Sequence, residues 1–538
     1  MDNKTSLFST ERVETSFLFI FIPTLLLVVV VISYKRLEFK RDRRVTLPPG
    51  PTPMPIFGCL FQMIKNKPRF RWIDQVMDEL NTEIACIRIG GVHLIPVRSP
   101  ELAREFLKKQ DAIFSSRPYC MSGRISSKGY LTAILSPLGD QWKKMRRVLA
   151  TEVLSMAKHR WFHDKRAEEA DHLVHYVFNL SQNSSTNGMV NVRNVAQHYC
   201  GNVIRRLVFN KRFFGKGMED GGPGLEEEEH VQGLFTILAY LYGFGIADYI
   251  PWLEVFDFDG YKRILKKAYE NVTKYQDPEI DERVQMWNNG MKGKEEDILD
   301  VLINLKDDSL ANNPLLTIEE IKAQITEIMI ATVDNPSNAI EWAIAEMINQ
   351  PDIFHKAHKE LDDVVGRDRL VQESDLSKLN FVKACAREAF RLHPVAPFNV
   401  PHVSTKDTIV SGYFIPKDSH VLLSRPGLGR NPRVWNEPLK YMPERHIHDH
   451  DDASDVVLGD TELNMLSFST GRRGCAGVLL GSTITTMLLA RLIHGFTWNA
   501  PNGVPKIDLA ESKGDLFLAK PLLALAKPRL NASAYKQL

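Results

Sequence analysis

Cysteine is scarce in this chain. Six cysteines are scattered over 538 residues, at positions 59, 86, 120, 200, 385 and 475, and no two form a Cys-x-x-Cys pair. That spacing excludes a zinc module and a disulfide framework, and it places the body of the chain in a reducing compartment. Excess charge is also missing. A formal net charge of +2 gives no basis for bulk nucleic-acid binding, and no nucleic-acid partner is expected. No Ser-, Pro- or Gly-rich linker divides the body, so residues 56–538 are expected to form one domain, although length alone suggests about three.

One apolar run stands out near the N-terminus, residues 17–32, broken only by Pro23 and Thr24. With Ser33 and Tyr34 it approaches the roughly twenty residues that span a bilayer. Its basic neighbours, Lys35, Arg36, Lys40, Arg41, Arg43 and Arg44, come after it. A cleaved signal peptide carries its charge before the run, so a signal-anchor is expected at 17–34, with 1–16 luminal and the body cytosolic. Residues 35–55 read as a basic, proline-rich hinge, because the prolines at 48, 49, 51, 53 and 55 hold the backbone extended.

Beyond the hinge the pattern predicts a mostly α protein with a small β region. Short strands flank Gly90-Gly91, and Thr408 to Leu423 reads as two more strands. Helical periodicity runs from Glu101 to Gln110 and from Gly139 through the 170s. Inside the second stretch, Trp142 and Arg146 are four residues apart and share a face, able to meet one anion together. Lys143, Lys144 and Arg147 beside them offer an acidic redox partner a basic surface, or are simply a solvated face. Residues 211–228 read as a loop. The apolar 234–252 segment fits core, membrane-facing surface or the lid of a pocket.

Thr317-Ile-Glu-Glu320 is a capping box opening a long helix. Pro336 falls in its interior, within Ala331-Thr-Val-Asp334-Asn335-Pro336-Ser337-Asn338, which predicts either a kinked helix lining a groove or two helices meeting there. Glu388 and Arg391 share a helix face among apolar neighbours, and Arg445 of Pro443-Glu-Arg445-His446 is placed to complete the charge balance. Last comes Phe468-Ser-Thr-Gly471-Arg-Arg473-Gly474-Cys475-Ala-Gly477, a cysteine in a glycine-rich bend before an apolar helix. Helix dipole and arginine charge favour its thiolate. A planar metal cofactor bearing carboxylates fits this loop, and haem is such a cofactor; a buried free cysteine is the plain alternative.

Taken in order, Trp142…Arg146, Glu388…Arg391, Pro443-Glu-Arg445 and Phe468…Cys475…Gly477 resemble a cytochrome P450, a haem-thiolate monooxygenase, from about Leu47 to Arg529. The resemblance implies haem b with Cys475 as axial iron ligand. Trp142, Arg146, His402 and Arg473 would hold its propionates, with Phe468 and Gly477 completing the cofactor loop. Glu388, Arg391 and Arg445 would form a buried structural triad. The family's distal helix carries an acid followed by Thr; here Asp334 is followed by Asn335, both expected to be catalytic. His446 replaces a usual Phe, and Ser469-Thr470 replaces a usual Gly.

Asp-Asn-Pro-Ser-Asn, Pro-Glu-Arg-His and the cysteine loop are together similar to plant amino-acid N-monooxygenases. That resemblance implies two N-hydroxylations of an aromatic or hydrophobic L-amino acid, giving an aldoxime with loss of CO2 and water. It implies electrons from NADPH through NADPH–cytochrome P450 reductase at the endoplasmic reticulum membrane, in glucosinolate or cyanogenic-type metabolism. Arg124, Ser337 and Asn399 are candidate partners of the substrate carboxylate, and Phe517 a candidate side-chain contact. C-hydroxylation of a lipophilic metabolite, oxygen-independent rearrangement of a peroxide, and a non-catalytic haem sensor are the competing functions.

Overall fold

The computed structural model describes residues 46–184, 187–306, 314–447 and 455–536. The expected luminal segment, the anchor and the first part of the hinge lie outside the described residues. From Thr46 onward the proline-rich segment is docked on the body. The Thr46 carbonyl accepts from the Phe414 N–H at 2.9 Å and the Pro49 carbonyl from the Cys86 N–H at 2.8 Å. Gly50 crosses so close to the Cys86 carbonyl that a Cβ would collide with it.

Helices dominate, as the pattern predicts, and the sheets are small. Strand β1 (Ile87–Ile89) turns at Gly90-Gly91 into β2 (Val92–Val97). Strands β3 (Met189–Asn191), β4 (His402–Val403), β5 (Thr408–Val410), β6 (Tyr413–Ile415), β7 (His420–Leu423), β8 (Phe496–Asn499) and β9 (Leu523–Pro528) follow. They form a β1-β2-β7-β4 sheet, a β3-β9-β8 sheet and the β5-β6 hairpin. The 408–423 region thus holds three strands where two were expected, because β5 and β6 close as a hairpin before the chain enters the main sheet as β7.

The helix Ile318–Asn349 runs through the centre, buried on nearly every face. It packs against Val192–Phe209, Asn380–Leu392 and Val478–Gly495. Its capping box forms, with the Glu320 N–H donating to Thr317 Oγ1 at 3.2 Å and the Thr317 N–H to Glu320 Oε2 at 2.9 Å. Pro336 sits inside this one uninterrupted helix, so the reading of two abutting helices is set aside. Among the described residues only Val478–Gly495 is long and apolar enough to cross a membrane. It is 67% buried within the protein, which makes it a core helix.

Two expectations are corrected. The stretch from Gly139 is not one long helix: Asp140–Val148 passes into a π-turn at Leu149–Val153, then Met156–Trp161 and His163–Gln182. Ser155 ends the run by capping the next helix, accepting from the Lys158 N–H. The loop after Phe209 stops at Gly224, where Leu225–Tyr240 begins. The 234–252 segment then divides its roles. Leu234 and Ile237 are core, 238–244 roof the main cavity, and Trp252 faces outward.

Candidate active site

A cavity of about 1270 Å³ lies between the central helix and the cysteine loop. Ordinary small-molecule sites occupy roughly 300–1,000 Å³, so this space accommodates a macrocycle and a substrate together. Cys475 opens onto it. The Cys475 N–H donates to the Phe468 carbonyl at 2.9 Å, and the Gly477 N–H to the sulfur at 3.3 Å. Burial pushes the thiol up, while that amide, Arg146 and Arg425 favour the thiolate. Phe468 braces the bend edge-on against Phe390, with ring centroids 5.9 Å apart. Gly471 adopts φ +75° with its backbone against Asp111 and the Leu107 carbonyl, a place with no room for a side chain.

The end of the cavity lined by Trp142, Arg146, His402 and Arg473 fits a carboxylate-bearing cofactor. Arg473 is 8% exposed and lies over the Trp142 ring, 4.3 Å from its centroid. Its Nε donates to the Ser115 carbonyl at 2.6 Å, but Nη1 and Nη2 are buried with no partner among the described residues. Burial, with Arg117 nearby, presses this guanidinium down to about 8. Two unsatisfied charged donors in one place are what a propionate would answer. His402 is tied by Nδ1, which donates to the Phe114 carbonyl at 2.7 Å. Burial and Arg117 hold its imidazole neutral.

Glu388 and Arg391 are fully enclosed, Arg445 is largely so, and the cluster is larger than expected. Glu388 Oε1 accepts from Arg391 Nη2 at 2.7 Å, Arg445 Nε at 3.0 Å and the Met442 N–H at 2.9 Å. Its Oε2 accepts from Arg391 Nε at 2.8 Å and His446 Nε2 at 2.7 Å. Burial opposes the charged form, yet bonds from Arg391 and His446 hold the carboxyl below the usual range. Arg391 also binds the carbonyls of Gly429, Pro438 and Lys440. One carboxylate therefore suspends the loop that leads to the cysteine. His446 serves it as a neutral donor where Phe has none to give.

On the opposite wall, Asp334 and Asn335 face the cavity. Pro336 has no N–H, which frees the Thr332 carbonyl from its helical donor. Ser337 bonds back to the carbonyls of Val333 at 2.7 Å and Asp334 at 3.0 Å, an arrangement that bends helices. Asp334 is buried and its Oδ1 has no partner. Burial pushes its carboxyl up to about 7, with Arg425 pulling it down and Asp515 pushing it up. Glu327, about two turns earlier, accepts from the amides of Ala133, Ile134 and Leu135 and so straps that segment over the cavity.

Three of the expected substrate contacts are placed elsewhere or already engaged. Arg124 does not line the cavity; it is half exposed and binds Glu254 at 2.7 and 2.9 Å. Ser337 spends its hydroxyl on the helix. Asn399 reaches the wall, but its amide is shared between the Val400 carbonyl and the Leu423 N–H. Phe517 does line the cavity, edge-on to Phe235 at 6.2 Å. Of the three basic residues beside Trp142, Lys144 turns inward to Glu320, leaving Lys143 and Arg147 on the surface. Sequence reasoning missed Arg425 and Glu327. The available signal was a charged residue at the end of the wholly buried β7 and a carboxylate on a buried helix.

A cysteine under a cavity of this size, with a suspended loop behind it and an orphaned arginine at its edge, defines a haem-thiolate protein. The chain belongs to the cytochrome P450 family, whose model matches residues 48–527. It is therefore a monooxygenase with a haem cofactor, served by a redox partner. Among its relatives is tyrosine N-monooxygenase of Sorghum bicolor, 54% identical over 95% of this chain and 94% of that protein. Valine N-monooxygenase 1 of Manihot esculenta is 54% identical over 99% and 97%. Phenylalanine N-monooxygenase of Arabidopsis thaliana is 54% identical over 95% and 97%. Equal identity to enzymes named for three amino acids leaves the side-chain preference to the cavity wall.

Proposed function

We propose that the protein N-hydroxylates an aromatic or hydrophobic L-amino acid twice, releasing the aldoxime with loss of CO2 and water. The observation that carries this reading is near-full-length similarity to enzymes all named for amino-acid N-oxidation. The aromatic and apolar wall, with Phe235, Phe517, Ile328 and Leu422, supports a hydrophobic side chain. Haem, when bound, supplies the oxidation of the substrate nitrogen by dioxygen. The chain's own part is to place that nitrogen and manage protons. An amine must be uncharged to present its lone pair, and Asp334, poised near neutrality, takes or returns a proton within the cavity. Asn335 supplies an amide where the family pattern has a hydroxyl.

In this reading electrons arrive from NADPH–cytochrome P450 reductase, and residues 17–34 anchor the chain in the endoplasmic reticulum membrane. Exposed Met54, Ile56, Phe61, Trp252, Val255 and Phe256 support membrane attachment. They neighbour in sequence the apolar cluster that joins Cys59 and Leu60 to Tyr249 and Ile250. The test is incubation of the full-length protein with reductase, NADPH and each of the twenty amino acids, plus chain-extended homologues of Met and Phe. Mass spectrometry is expected to find an aldoxime from one or a few hydrophobic members. No aldoxime from any of them overturns the reading.

A further inference from the structure

Arg425 is a charged cavity residue that the proposed function leaves unused. It follows β7, and its backbone is fixed on both sides. Its N–H donates to the Pro397 carbonyl at 2.9 Å, and Ser424 before it caps the next turn by accepting from the Gly427 N–H at 3.0 Å. The side chain lines the cavity. Among the described residues its guanidinium has neither a hydrogen bond nor an ion pair, and Nε is shut off from solvent. A guanidinium keeps its charge and carries five N–H donors. Holding one in a cavity wall with no acceptor is costly, and the cost is recovered when an anion binds.

The other buried arginines around this space are occupied or differently placed. Arg117 donates to the carbonyls of Ile134, Val400 and Pro401. Arg69 donates to the carbonyls of Gly243 and Phe244 and to the Tyr261 hydroxyl. Arg473 lies on Trp142 at the propionate end. Arg425 instead lies within electrostatic reach of Asp334 and Cys475. Among the described residues Asp334, like Arg425, has no bonded partner, and the two are not paired with each other. A lone cation and a lone acid facing one cavity are complementary to a ligand that carries both charges.

We propose that Arg425 binds the α-carboxylate of the substrate, leaving its amine on the side of Asp334. This deepens the amino-acid reading and rests on it. Arg425 becomes a positioning residue: a bidentate grip on the carboxylate fixes the α-carbon, and the nitrogen is then held by its one bond to that carbon.

The experiment is equilibrium dialysis of haem-loaded, full-length protein with the radiolabelled amino acid that yields most aldoxime. The same measurement is made with its decarboxylated amine and its carboxamide; for L-phenylalanine these are phenethylamine and phenylalaninamide. Wild type is expected to favour the acid. Arg425→Gln is expected to weaken acid binding at least about thirtyfold while moving the amine and the amide less than about twofold, so that discrimination collapses. Arg425→Lys should keep part of it. Haem content, read from the reduced carbon-monoxide spectrum, is expected to hold in both variants. Retained preference for the acid in Arg425→Gln overturns the proposal. Loss of haem in both variants also overturns it, by assigning Arg425 to a propionate. Aldoxime formation by wild type separates either result from failure of the amino-acid reading itself.

Discussion

The two sides of the cavity are built on opposite terms. Behind the cysteine, Glu388 accepts from Arg391, Arg445, His446 and a backbone amide, and Arg472 at the loop surface is paired with Asp111. Across the cavity, Asp334 and Arg425 line the wall unbonded among the described residues, and Pro336 has removed a rung from the central helix. Buried polar groups in folded proteins are ordinarily satisfied. The Glu388 cluster is therefore scaffold, complete before any ligand arrives, whereas Asp334 and Arg425, and Arg473 at the edge of the cysteine loop, are groups that a ligand would satisfy.

The largest effect that tests this contrast is expected at the scaffold. Glu388→Gln leaves Arg391, 0% exposed, beside Arg445 with no counter-charge. Breaking a buried ion pair from one side costs about 3–5 kcal/mol, a large share of the roughly 5–15 kcal/mol that holds a folded protein together. Thermal melting and haem incorporation should both fall sharply. The sign of the pH dependence follows from the depressed carboxyl. Its contribution is fully present above the ordinary glutamate value and is lost as pH falls through the lower native one. A variant that melts with wild type would show that the loop does not hang from this carboxylate.

How much of this was legible in the chain depends on how local each signal is. The capping box at Thr317, the Glu388–Arg391 spacing and the cysteine loop each fit within one turn or bend, and from them the helical class and the family could be read. The side chains that meet across the cavity are another matter. Arg124 sits on a helix of six residues, Met121–Ser126, too short for periodicity to say which way it points, and it faces Glu254. Ser337 is spoken for by the bend that Pro336 creates, and Asn399 by the edge of β7, both consequences of tertiary structure. Arg425 had no motif around it. Its meaning comes from Asp334, which lies far back in the chain.

Smaller and of opposite sign is the effect expected at Asp334. A carboxyl raised from 3.8 to about 7 carries no penalty below the ordinary aspartate value and the full penalty above about 7, so native stability falls across that window. At about 1.36 kcal/mol per unit, Asp334→Asn should raise stability at pH 8 by at most about 4 kcal/mol, and by progressively less towards pH 5, while slowing aldoxime formation. Thermal melts of the haem-loaded protein at both pH values check it. If the two proteins melt in parallel across the range, Asp334 ionises freely and the distal wall is not strained.

The smallest effect is expected at Arg124, and it sharpens the comparison most. Arg124 and Arg425 are both arginines near the same substrate space, and they differ in whether the charge is already met. Arg124 is 49% exposed and bound to Glu254, which keeps a second partner in Lys262 at 2.9 Å. Arg124→Ala should therefore cost no more than about 1 kcal/mol and leave KM for the amino acid within about twofold, because nothing is left buried and unpaired. Steady-state kinetics beside the Arg425→Gln variant measure the difference directly. A rise in KM at Arg124 comparable to that at Arg425 would mean that an exposed, paired cation turns inward to the substrate, and that an unmet charge is not what marks the binding wall.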